Sequence, residues 1–190
     1  AMSTKYLGNS FDIHGGGEDL IFPHHENEIA QSEGALKEPF VKYWIHNGFV
    51  NIDERKMSKS KKNFFTIKEV LKDFSGEVIR MFLLKVHYRS PLNFSLDGLV
   101  ESKHALDKLY NTLSEYKLGE DENVEIESLE LQAFDTRFHN AMDNDFNYAE
   151  AVGILFDLNR HIHKTGEGTK LLLKLGNILG LFYQLPSQNE

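Results

Sequence analysis

Cysteine is absent from all 190 residues. That excludes a disulfide scaffold and any cysteine-built zinc module drawn from this stretch alone, and it suits a reducing compartment. An excess of positive charge is absent too: 21 Lys and Arg stand against 29 Asp and Glu, a formal charge of −8. Contact with a polyanion must therefore come from a local patch, because the field of the whole chain opposes it. No apolar run approaches the roughly 18 residues of a membrane span, and no signal peptide opens the chain. No internal repeat occurs. Also missing is a capped first element, since Ala1-Met2-Ser3 runs at once into motif-dense sequence, and the chain is expected to begin within a domain. What remains is 41% hydrophobic and 26% charged, an ordinary globular composition with enough chain for one large domain or two small ones.

Residues 1–65 are rich in Gly, His and aromatics. Phe11-Asp12-Ile13 and Leu20-Ile21-Phe22-Pro23 read as short buried strands or strand ends of an α/β layer. Pro23 suits the first position of a helix over 24–36, and residues 43–50 suggest a further buried strand and turn. From residue 66 the texture is helical. Thr66 and Glu69 form a capping box, Ser75 can cap a helix running to residue 86, and Leu99, Leu106, Leu109 and Leu113 mark a long amphipathic helix. Residues 119–130 hold six acids and no base, which reads as a solvated connector. Helices are expected over 131–142, 148–164 and 169–183, with Gly166 and Gly168 separating the last two. The expected architecture is α/β followed by all-α, divided as 1–65, 66–118 and 119–190.

Three constellations could carry chemistry. His24 and Glu28, four apart, share one helix face, a spacing that suits an imidazole and a carboxylate gripping one divalent ion, zinc above others. A helix N-terminus with acids complementing the macrodipole accounts for the same residues. His14-Gly15-Gly16-Gly17 with Asp19 allows close backbone approach and an anion nest, though a tight turn uses the same glycines. The third, RKMSKSKK at 55–62, places five cations in eight positions. It lacks the interleaved aromatics of a single-strand binding surface. A Lys within about 4 Å of a phosphate oxygen is worth about 4 kcal/mol at an effective dielectric near 20. Such a loop lowers a barrier if it closes as charge develops on a leaving group; otherwise it is a solvated turn.

Lys56-Met57-Ser58-Lys59-Ser60 is, letter for letter, the KMSKS signature of class I aminoacyl-tRNA synthetases. Together with the His14 glycine run and Phe22-Pro23-His24-His25-Glu26-Asn27-Glu28, it resembles the cysteinyl-tRNA synthetase family of bacterial type. His87-Tyr88-Arg89-Ser90-Pro91-Leu92-Asn93-Phe94-Ser95 and Ala141-Met142-Asp143-Asn144-Asp145-Phe146-Asn147 are similar to the same family. The resemblance covers nearly the whole chain and thins after about residue 160. It implies the second part of a Rossmann-like catalytic domain, a connecting helical region that meets the tRNA stem, and a DALR-type helical bundle. It further implies activation of L-cysteine by ATP with Mg²⁺ and transfer to tRNA(Cys), by a cytoplasmic, monomeric enzyme needing no membrane.

Carried over by position, His24 and Glu28 match two of four ligands of a zinc ion that binds the substrate thiolate. Lys59 matches a contact to ATP, and His14 a residue of the cysteine pocket. Lys56, Lys59 and His14 are thereby the catalytic candidates. Lys59, Met57, Ser58, Gly16 and Asp19 are the candidates for holding ATP and the adenylate. The family's HIGH motif and its two cysteine ligands lie upstream of the matched region, one of them two residues before Ala1, and its anticodon-recognising end is not matched. This stretch alone is accordingly expected to be inactive. Two other readings stand beside this one: a cysteine:aminosugar ligase of mycothiol synthesis, and a non-catalytic fragment that binds RNA or protein.

Overall fold

The structure is a computed structural model that describes residues 2–52, 66–116 and 128–183, with 55–56 described in backbone only. Positions 57–60 of the KMSKS signature, and all but the last three residues of the acidic run, lie outside the described residues. The chain divides into two compact units, one of residues 1–57 with 88–93, the other of 58–87 with 94–190.

The first unit is built on a parallel strand pair. Helix α1 (Met2–Leu7) leads to β1 (Phe11–Gly17), and β2 (Val41–Asn47) runs beside it in parallel, with Phe11 opposite Val41 and Gly17 opposite Asn47. Parallel neighbours need a crossover, and α2 (Glu26–Leu36) supplies it. The glycine run therefore lies within a strand and not in a turn, because Gly15, Gly16 and Gly17 are in register with Ile45, His46 and Asn47. Between β1 and α2 the chain makes a 3₁₀ turn (Glu18–Leu20) and then a wide π-type turn (Ile21–His25) in which Phe22 is extended. The helix expected from residue 24 accordingly becomes regular only at Glu26. The expected strand over 43–50 divides at Gly48 into β2 and β3 (Val50–Ile52). A second sheet follows the order β4 (Arg55–Lys56), β3, β5 (Leu92–Phe94), with Asn51 opposite Lys56 in an antiparallel pair.

The second unit is helical, and its caps are those written in the sequence. Thr66 and Glu69 make the reciprocal bonds of a capping box at α3 (Ile67–Val70). Ser75 caps α4 (Gly76–Leu84), Ser95 caps α5 (Leu96–Glu115), Ser128 caps α6 (Leu129–Asp143) and Asn147 caps α7 (Tyr148–Thr165). Each cap satisfies a backbone N–H that the first turn leaves orphaned, worth about 1 kcal/mol. Gly166, at φ +80°, ends α7 in the left-handed region that glycine enters without penalty. The core is one apolar seam of Met81, Leu99, Leu109, Phe138, Leu155, Leu158, Ile162 and Leu172, each almost fully buried. Helix α8 (Thr169–Ile178) is shorter than the expected 169–183. Left-handed backbone at Gly180 and Phe182 turns the chain out of the helix there.

Candidate metal and substrate site in the first unit

Alternation along the two parallel strands brings four residues to one face. His14 and Gly16 on β1 stand opposite Trp44 and His46 on β2. The π-type turn then sets His25, the residue before α2, down onto that face, where it is 6% exposed. Gly16 is what makes room for it: a Cβ there would lie 2.9 Å from the His25 ring carbon Cε1. His25 packs 4.9 Å from the Trp44 ring and 5.0 Å from His14 in an edge-to-face contact. Trp44 and His46 lie parallel at 5.9 Å.

The polar contacts are directional. His25 Nδ1 and His46 Nε2 share a 2.8 Å hydrogen bond. With Nδ1–H donating, the His25 Nε2 lone pair is left for another partner, the arrangement in which an outer imidazole orients a metal-binding one. Burial, with the neighbouring His14 and His46, lowers the His25 pKa, so the neutral, ligating form persists at neutral pH. His14 Nε2 approaches Glu28 Oε2 to 3.2 Å, yet that buried oxygen has no hydrogen-bond partner. A carboxylate oxygen without a hydrogen bond, set beside two imidazoles, is a donor set able to take a cation. Donor atoms of His14, His25 and Glu28 all lie within 4.8 Å of one another, close enough to converge on a single ion. Two nitrogens and one oxygen suit zinc, and leave a further coordination position.

The candidates from the sequence are distributed as follows. His14 and Glu28 meet at this site, while His24 is exposed and outside the group of three. The wide turn explains the difference. Helical spacing from residue 24 paired His24 with Glu28, but the regular helix starts only at Glu26, and it is His25 that joins Glu28. Gly16 sits under His25, and the Asp19 carboxylate lies over Gly17, where an added Cβ would be 2.6 Å from Oδ1. Lys56 is described by backbone alone, in β4, and Met57, Ser58 and Lys59 fall outside the described residues. Spacing favoured His24 over His25 as the partner of Glu28, and gave no part to Trp44 and His46. The signal was present as Trp44-x-His46, a period of two that matches His14-x-Gly16 on the parallel neighbour.

The first unit is thus a parallel βαβ layer with histidines gathered on one strand face, and the second is helical. The LeuRS of Agrobacterium radiobacter, solved as a ternary LeuRS–tRNA–LeuAMS complex, superposes over 89% of this chain and 24% of its own, with TM-score 0.67 at 18% identity. Residues 1–104 match the family described as tRNA synthetases class I (C) catalytic domain, and 137–184 match the DALR domain. The chain belongs to the class I (C) tRNA synthetase catalytic-domain family. It is 50% identical to the cysteine–tRNA ligase of Geobacter sulfurreducens over 98% of its length, covering 42% of that protein. With the cysteine–tRNA ligase of Methylococcus capsulatus it shares 52% identity, over 98% of this chain and 41% of the relative. The chain thus spans about two fifths of the length of the curated relatives it matches. No helix among the described residues is long and apolar enough to cross a membrane.

Proposed function

We propose that the protein carrying these residues is a cysteine–tRNA ligase, which joins L-cysteine to ATP as cysteinyl-adenylate and passes the cysteinyl group to the 3′ end of tRNA(Cys). The observation that carries this reading is the identity near 50% with cysteine–tRNA ligases along almost the whole chain, catalytic layer and bundle alike. Monomeric action in the cytoplasm accompanies it.

The residues divide the work. Glu28 and His25, with His14 beside them, would hold a zinc ion, and the family resemblance adds His24 to the candidates. Zinc supplies a soft Lewis acid that bonds a thiolate in preference to an alcohol, which would select cysteine over serine. His46 holds the His25 ring in orientation through the 2.8 Å bond. Trp44 and His14 pack against the His25 ring at 4.9 and 5.0 Å and hold it in place. Lys56 and Lys59, with Met57 and Ser58, would close over ATP and its Mg²⁺, where Lys59 stabilises the pyrophosphate as the cysteine carboxylate attacks the α-phosphate. Gly16 and Asp19 line the approach to the nucleotide.

The test is cysteine-dependent exchange of pyrophosphate into ATP by the full gene product and its Lys59→Ala variant. The variant is expected to lose at least about 100-fold in exchange rate, the scale of one removed transition-state contact, with little change in the Michaelis constant for cysteine. An unchanged rate would refute the role of Lys59.

A further inference from the structure

Glu77 is a buried carboxylate to which the site described above gives no task. It sits in the first turn of α4, the second helix after the basic signature, and is wholly shielded from solvent. Tyr110 on α5 donates its hydroxyl hydrogen to Glu77 Oε2 at 2.8 Å. Oε1 accepts a short hydrogen bond from the backbone N–H of Phe182, which lies 105 residues further along the chain. One turn along α4, the Arg80 guanidinium lies against Gly180, where an added Cβ would meet Nη1 at 2.9 Å.

The segment gripped in this way is shaped for it. After α8, Leu179 and Leu181 donate to the Gly176 carbonyl and Gly180 to that of Asn177, a helix-ending motif with left-handed backbone at Gly180 and Phe182. The Phe182 ring then folds back over Gly176, so closely that a Cβ on that glycine would lie 2.0 Å from it. The same ring stands edge-to-face on Tyr110 at 5.6 Å. Leu181 and Phe182 are buried, whereas the next residue, Tyr183, is 59% exposed. A buried carboxylate is costly unless both oxygens are satisfied. Here the satisfying groups are a hydroxyl of α5 and one amide of the segment that follows the bundle. The carboxylate is therefore matched only while that segment is docked.

We propose that Glu77 and Arg80 form a clasp that closes on residues 180–182, fixing the far end of the helical bundle to α4. This rests on the ligase reading in one respect, that the bundle serves the tRNA-dependent step and the basic segment the ATP-dependent one. The clasp is then a positioning device. Closed, it holds the bundle in register with α4 during transfer to tRNA. Open, it leaves formation of the adenylate intact and slows only the transfer.

The test uses the full gene product and its Glu77→Ala, Glu77→Gln and Gly176→Ala variants. Glu77→Ala removes the acceptor, and Gly176→Ala displaces the Phe182 ring without touching Glu77. Amide hydrogen exchange over 176–183 is expected to speed by tenfold or more in both, the scale of a lost hydrogen bond to a charged group, while residues 150–162 of α7 keep their protection. Glu77→Gln retains protection, since its carbonyl accepts from Phe182 and its amide donates to the Tyr110 oxygen. In the two releasing variants the ratio of tRNA charging to pyrophosphate exchange is expected to fall about tenfold, the same loss carried into the tRNA-dependent step. Unchanged protection over 176–183 overturns the clasp, and so does equal loss of protection across α7, which makes Glu77 a general stability residue. Release with an unchanged rate ratio overturns the coupling. Absence of cysteine-dependent exchange in the unmodified protein counts against the ligase reading, and hydrogen exchange then decides the clasp alone.

Discussion

Replacing Gly16 by Ala tests the geometry at the strand face with a single methyl group. The added Cβ would lie 2.9 Å from Leu20 Cδ1 and from His25 Cε1, and 3.2 Å from His25 Nε2. Leu20 is 37% exposed and its methyl is the end of a flexible side chain, so it can swing aside. His25 cannot: it is 6% exposed, flanked by the rings of His14 and Trp44, and tied to His46 at 2.8 Å. Relief therefore requires the imidazole to shift, stretching that hydrogen bond and disturbing the grouping with His14 and Glu28. Overpacking of this kind costs about 1–3 kcal/mol, and a weakened hydrogen bond adds up to about 1 kcal/mol. Urea unfolding of the full gene product, followed by amide hydrogen exchange over β1 and β2, reports this unit selectively. The expected result is a lower midpoint with an unchanged slope, together with weaker zinc binding. A midpoint equivalent to less than about 0.5 kcal/mol, the range of an innocuous surface change, with zinc affinity unaltered, would refute the account of Gly16 as the seat of His25.

Two further outcomes follow from named contacts. His24→Ala and His25→Ala separate the two assignments of the metal site, since the resemblance gives His24 to zinc and the geometry brings His25 to Glu28; the geometry requires His25→Ala to lose zinc by metal analysis, and full retention would remove His25 from the donor set. The Glu69 carboxyl is held below its ordinary value of 4.5 by hydrogen bonds from the Thr66 backbone and hydroxyl, both 2.8 Å. Its contribution to the α3 cap is therefore complete above about pH 4.5 and lost as pH falls through the lower folded value. A carboxyl-carbon NMR titration checks this: Thr66→Ala, which removes the hydroxyl donor and keeps the backbone N–H, should raise the midpoint part of the way toward the ordinary value, and no movement would exclude the hydroxyl bond as a contributor.

Much of the helical unit was legible because its signals are local. Ser75 and Thr66 are cap residues whose side chains bond three residues away, and the leucines of α5 recur at helical spacing, so neither depends on the rest of the chain. The glycine run shows the opposite case. Three glycines fit a turn equally well, and only pairing with residues 45–47, some thirty positions away, makes them strand. The same holds for α8, where residues 179–183 look helical by composition yet leave the helix at Gly180, and the Phe182 N–H is met by the distant carboxylate of Glu77. At the site, His14 and Glu28 could be named from residue type. Which of His24 and His25 stands beside Glu28 depends on the phase of a π-type turn, which apolar periodicity does not encode.

The most direct test of the central claim is the charging of tRNA(Cys) by the full gene product, with radiolabelled cysteine and, in parallel, serine. The account predicts cysteinyl-tRNA formation that depends on ATP, discriminates against serine by at least about 10⁴, the range open to a site that matches a specific substrate group, and fails when Glu28 is changed to Gln. Equal charging with serine, or charging with cysteine undiminished by Glu28→Gln, would contradict it.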